Sequence, residues 1–143
     1  FWLATSLEHP LSGRSSVSLR EVQDASLMLL VDGHCLRDQA LAICADPKGS
    51  TILANDVRAT SLNTLLNLVG AGLGTTIVPS LALDLARAHN VATVPLDDYG
   101  ASRTVRILHR PSSRRHEALK RLARIVSSHV PPDRVRNCLD DSR

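Results

Sequence analysis

The residues of this chain best suited to chemistry stand together in Asp32-Gly33-His34-Cys35-Leu36-Arg37-Asp38-Gln39, with a second cysteine, Cys44, nine positions past the first. A cysteine thiolate is the form that attacks peroxides and disulfides and binds metals. Cys35 falls at the expected start of a helix, where backbone N–H groups and the macrodipole favour negative charge. His34 and Arg37 can add positive charge or hydrogen bonds. On a continuous helix, nine residues rise about 13.5 Å and turn about 900°, which leaves the two side chains on opposite faces. A disulfide needs Cα atoms within about 7 Å. A bond between these cysteines would therefore require the intervening segment to unwind, as a redox switch does.

Simpler readings stand beside this one. A lone Cys35 is a small buried hydrophobe in many proteins, and Cys44, between apolar neighbours such as Leu41 and Ile43, fits a core position. Cys138, in the basic stretch Arg134-Val135-Arg136-Asn137-Cys138, reads as an exposed bystander. A metal centre would draw on His34, Cys35, Asp38 and Cys44, but Cys44 would have to fold back, and closed zinc sites show tighter Cys/His pairs. Gly70-Ala71-Gly72-Leu73-Gly74 resembles a phosphate loop in composition. It follows a helix and precedes a strand, the reverse of the dinucleotide fingerprint, so it reads as a helix end and a turn. No serine–histidine–acid set stands out.

These residues need a scaffold. The chain has 143 residues, enough for one domain with a core, and 43% of them are apolar against 22% charged, the balance of a globular protein. It opens at Phe1 inside an apolar stretch and reads as part of a longer protein. No apolar run approaches the roughly 18 residues of a membrane span, and no signal-peptide pattern is present. Three cysteines without CxxC pairs fit a reducing cytoplasm. Charge is uneven: residues 1–100 carry 6 Lys/Arg against 10 Asp/Glu, and residues 101–143 carry 11 against 4. The basic end lies largely on the outer face of an expected helix, which suits a solvated surface. With three Phe, Trp or Tyr residues in all, the composition disfavours stacking on single-stranded nucleic acid.

Alternating patterns predict the elements. Strands are expected over 1–8, 27–31, 52–58, 75–78, 91–94 and 103–110, with Val105, Ile107 and His109 alternating in the last. Ser18-Leu19-Arg20-Glu21 is a capping box for a short helix. Further helices are expected over 34–45, after Ser61, over 81–88 and over 114–129, with Asp46-Pro47-Lys48-Gly49-Ser50 ending the first of these. Strands alternating with helices indicate α/β architecture.

The stretch Leu30-Val31-Asp32-Gly33-His34-Cys35-Leu36-Arg37-Asp38-Gln39-Ala40-Leu41, then Cys44, then Arg58-Ala59-Thr60-Ser61-Leu62, resembles the OxyR-type peroxide-sensing transcription regulators of the LysR family. His9-Pro10-Leu11, Val69-Gly70-Ala71-Gly72-Leu73-Gly74 with Ile77-Val78-Pro79, and Arg103-Thr104-Val105 with His109-Arg110-Pro111 extend the similarity over about residues 1–130. The resemblance implies a periplasmic-binding-protein-like (type II) effector domain, here one complete α/β lobe and part of the other. Residues 1–8 would cross over from the first lobe, 9–100 build the second, 101–130 return a strand and helix to the first, and 131–143 form a tail. The family's N-terminal winged helix-turn-helix is absent from these residues, so DNA would be bound only through that domain.

The resemblance further implies that hydrogen peroxide oxidises Cys35, that Cys44 closes a reversible disulfide with it, and that His34, Arg37, Asp38 and Arg103 surround the reactive sulfur. Arg103 would stabilise the thiolate and the charge on the leaving oxygen. The implied protein is a stoichiometric sensor and not an enzyme, needs no cofactor or metal, is reset by glutaredoxin or thioredoxin, and works as a homodimer or homotetramer away from membranes. Alternatives are an effector domain binding a small organic ligand, which would not depend on Cys35, a thiol peroxidase, and a metal sensor.

Overall fold

The computed structural model describes residues 1–44, 54–97, 100–110 and 112–129. It divides into two units, residues 1–102 and 103–143. In the first unit, β1 (Trp2–Ser6) lies between β4 (Thr76–Val78) and β5 (Val91–Pro95), antiparallel to both. β2 (Leu27–Leu30) pairs in parallel with β3 (Ala54–Ala59). A bridge from Leu27 to Thr75 joins the two sheets, reinforced by Met28 N–H donating to the Thr75 carbonyl at 2.7 Å and the Thr76 hydroxyl donating to the Met28 carbonyl at 2.9 Å.

Successive strand residues point to opposite faces, and both faces are covered. Met28, Leu30, Ala4 and Val78 point to one, where α3 (Leu62–Gly70) and α4 (Leu83–Ala88) supply Leu65, Leu66, Val69, Leu83 and Ala86. Leu27, Leu29, Leu3 and Ile77 point to the other, against Val22 of α1 (Leu19–Asp24) and Ala40 and Cys44 of α2 (Cys35–Cys44). An apolar run such as Leu27-Met28-Leu29-Leu30 is what a strand buried on both sides requires. The unit is a three-layer α/β/α sandwich.

Local signals set the helix starts. Ser18 accepts from Glu21 N–H while the Glu21 carboxylate accepts from Ser18 N–H, the complete capping box. Ser61 caps α3 through Thr64 N–H. α3 closes with Gly72 in the left-handed region at φ 78°, where glycine carries no Cβ penalty. The helix expected from Leu81 begins two residues later, because Ser80–Ala82 winds as a 3-10 turn after Pro79.

The second unit contains α5 (His116–Ser128). Residues 103–110, expected as a strand, form no ladder among the described residues, and Val105, Ile107 and Leu108 are exposed. Alternation specifies a strand only where a neighbour supplies backbone partners and an apolar face, and none is described in this unit. The breaker at residues 46–50, the start of the strand expected from Ile52, and Cys138 with the tail lie outside the described residues.

Candidate functional site

The buried strand β2 delivers the chain to the site. Val31 N–H donates to the Ala59 carbonyl at 3.0 Å, so the exit of β2 is still tied to β3. Asp32 and Gly33 then turn the chain, with Gly33 at φ 89°, a conformation open to glycine and strained for other residues. α2 starts at Cys35 and ends at Cys44 without interruption. The first cysteine is exposed and the second buried, and both are free thiols. Nine residues of continuous helix separate their Cα atoms by about 13.5 Å, roughly twice the disulfide limit.

Their environments differ. Cys44 is fully buried in the cluster that contains Val22, Leu27 and Val94, and desolvation raises its thiol pKa to about 11. It is protonated and inert at neutral pH. Its carbonyl, one of the last of α2, accepts from the Gln23 side chain of α1 at 2.8 Å, which satisfies an otherwise open helix-end acceptor. Cys35 is reachable from solvent at the helix N-terminus, so of the two it is the one a small oxidant can meet.

The charged residues around Cys35 are engaged with one another. The Arg37 guanidinium lies 2.9 Å from Asp32 Oδ1 and 3.6 Å from Asp38 Oδ1, and Arg58 of β3 lies 3.8 Å from the same Asp32 oxygen. Residues two apart on a helix do not face each other, whereas residues three or four apart do. Sequence proximity pointed Arg37 at Cys35; in the structure its ion pairs are with the two aspartates, and its Nε is buried without a partner. His34 is half-buried in the turn, and its carbonyl accepts from Arg37 N–H at 2.9 Å. Arg103 belongs to the second unit, where it is exposed. Asp32 and Arg58 stand in the sequence motifs without an assigned role, and Gln23 stands in none; Arg58 reaches Asp32 through strand pairing, and Gln23 reaches the end of α2 through helix packing. Among the described residues no three His, Cys, Asp or Glu side chains gather to hold a metal ion.

The sandwich matches a known family. The model of the LysR substrate-binding domain matches residues 1–131. The chain belongs to the LysR substrate-binding domain family. Within this family it is 36% identical over 129 residues to the hydrogen peroxide-inducible genes activator of Dickeya chrysanthemi, covering 90% of this chain and 42% of that protein. It thus spans well under half the length of such a curated relative. Among solved structures, a peroxide-bound cysteine mutant of Corynebacterium glutamicum OxyR is similar at a TM-score of 0.73 and 35% identity, over 89% of this chain and 40% of that one. The oxidised form of OxyR is similar at a TM-score of 0.66 and 34% identity, over 89% of this chain and 59% of that one. Among the described residues no helix of this LysR-type domain is long and apolar enough to cross a membrane.

Proposed function

We propose that this LysR-type domain is the redox-sensing part of a peroxide-responsive transcription regulator. The observation that carries the reading is the contrast between two thiols on one helix, Cys35 exposed at its first residue and Cys44 buried at its last. The Cys35 thiolate attacks one oxygen of hydrogen peroxide: an S–O bond forms, the O–O bond breaks, and the departing hydroxide takes a proton to leave as water. The product is a sulfenic acid. The Cys44 sulfur then attacks Cys35; the S–S bond forms, the S–O bond breaks, and the hydroxyl leaves as a second water with the Cys44 proton. Two thiols lose two electrons and one peroxide gives two waters.

The second step demands rearrangement. Cys44 must leave its apolar cluster and α2 must open, since no rotamer change spans about 13.5 Å. The oxidised domain is therefore a second conformation, and the disulfide biases the equilibrium between the two. Asp32, Arg37 and Asp38 position the first turn that carries Cys35, and His34 shapes its entry. The role of Arg103 rests on the likeness of its motif to the family's. A glutaredoxin- or thioredoxin-type dithiol resets the switch by exchange. The regulator acts in the cytoplasm as a homodimer or homotetramer and reaches DNA through a separate winged helix-turn-helix. It consumes one peroxide per switching event and is not a turnover enzyme.

The test is peptide mass mapping after brief exposure to low hydrogen peroxide and alkylation of the remaining free thiols. A cross-linked Cys35–Cys44 peptide that disappears in Cys35→Ser is expected. Free thiols throughout, on folded protein, would overturn the reading and leave a ligand-binding effector domain in its place.

A further inference from the structure

Asp32 has two cationic partners of different kinds, and the proposed switch separates them. Arg37 rides on α2, the helix that must open. Arg58 sits on β3, in ladder register with Leu29 of β2, on a backbone that does not depend on α2. Both guanidinium groups address the same carboxylate oxygen, Arg37 in contact at 2.9 Å and Arg58 standing off at 3.8 Å. The Arg37 side chain is one-fifth exposed, whereas that of Arg58 is nearly half exposed and has room to move. The exit of β2 is tied to β3 through Val31 N–H and the Ala59 carbonyl, so the approach of Arg58 to Asp32 does not run through α2.

Building on the redox reading, we propose that Asp32 and Arg58 are positioning residues that hand over a charge during switching: when α2 opens and Arg37 departs, Arg58 closes on Asp32. In the dithiol form Arg37 holds the first turn of α2 to the strand exit. In the disulfide form Arg58 replaces it, so the carboxylate keeps an ion pair in both states and the unwinding stays confined to residues after Gly33. The two arginines on one carboxylate then act in opposite directions. Arg37 favours the dithiol and Arg58 favours the disulfide. A role of either in the stability of the fold alone would not produce that opposition.

The experiment is redox equilibration of the full chain, in a Cys138→Ser background, against mixtures of reduced and oxidised glutathione, with the Cys35–Cys44 disulfide quantified by alkylation and mass spectrometry. Two glutathione thiols gain one disulfide as the protein disulfide returns to two thiols, so the ratio reads the equilibrium constant directly. Ion pairs this exposed are weak, and the expected changes are correspondingly small. Arg58→Gln should lower the constant for disulfide formation two- to threefold, about 9–14 mV at 29.6 mV per tenfold. Arg37→Gln should raise it by at least the same factor. In an Asp32→Asn background, Arg58→Gln should have no effect. No shift from Arg58→Gln, or a shift in the same direction as Arg37→Gln, overturns the handover while leaving the switch intact. Failure of the parent protein to form the Cys35–Cys44 disulfide at all overturns both.

Discussion

α2 and α3 are helices of ten and nine residues that cover opposite faces of the same sandwich, yet they are held very differently. α3 drives Leu65, Leu66 and Val69 fully into the core and carries a serine cap. At about 1.5–3 kcal/mol for each such side chain, the burial of the three is worth roughly 4.5–9 kcal/mol. α2 fully buries Ala40 and Cys44, two small side chains worth roughly 2 kcal/mol together on the same scale, and leaves Leu36, Leu41 and Ile43 half-buried. Short helices owe most of their stability to tertiary packing. The contrast teaches that the helix carrying the two cysteines is the more weakly anchored of the two, as the proposed switch requires.

The largest test of this contrast is Leu66→Ala in α3. It should cost about 3 kcal/mol by cavity formation, lowering the thermal midpoint equally for the dithiol and disulfide forms in a melting experiment. The next concerns pH. The Cys44 thiol is raised in the folded protein to about 11, above its ordinary value of 9.0. The folded state thus binds that proton more tightly than the unfolded state. The contribution is complete below about pH 9 and is lost as pH rises toward 11, roughly 3 kcal/mol in all at about 1.36 kcal/mol per pKa unit. Denaturant titrations at pH 8 and 10.5 should show it, and Cys44→Ala should remove this part of the slope.

A smaller effect is expected from Ser61→Ala, about 1 kcal/mol through loss of the cap of α3, read as a shift in denaturation midpoint. An effect of the same size is expected from Gln23→Ala. It frees the Cys44 carbonyl at the end of α2, and should cost about 0.5–1.5 kcal/mol. Unlike Ser61→Ala, it should also speed disulfide formation after a peroxide pulse, because it loosens the helix that has to open. Equal effects of these two variants on the oxidation rate would dissolve the distinction between the helices.

Much of the scaffold was legible because its signals are local. Ser18 with Glu21, Ser61 before a run of leucines, and the apolar Leu27–Leu30 each carry their structure in a few residues. The two cysteines of α2 were legible as a pair, and helical spacing gave their separation. What failed was non-local. Residues 103–110 alternate like a strand but have no ladder partner among the described residues, so pattern alone could not form one. Arg37 reads as support for the thiolate because it is two residues away, and sequence gives no sign that its ion pairs are with Asp32 and Asp38. Arg58 gave no signal at all for Asp32, since only the pairing of β2 with β3 brings them together.

Hydrogen exchange across residues 36–44, compared between the dithiol and the Cys35–Cys44 disulfide, tests the central claim most directly. Opening of α2 predicts that amide protection in this segment falls sharply on oxidation, while residues 62–70 of α3 keep theirs. A disulfide that forms with α2 still protected would contradict the account, because an intact helix holds the two sulfurs too far apart to bond.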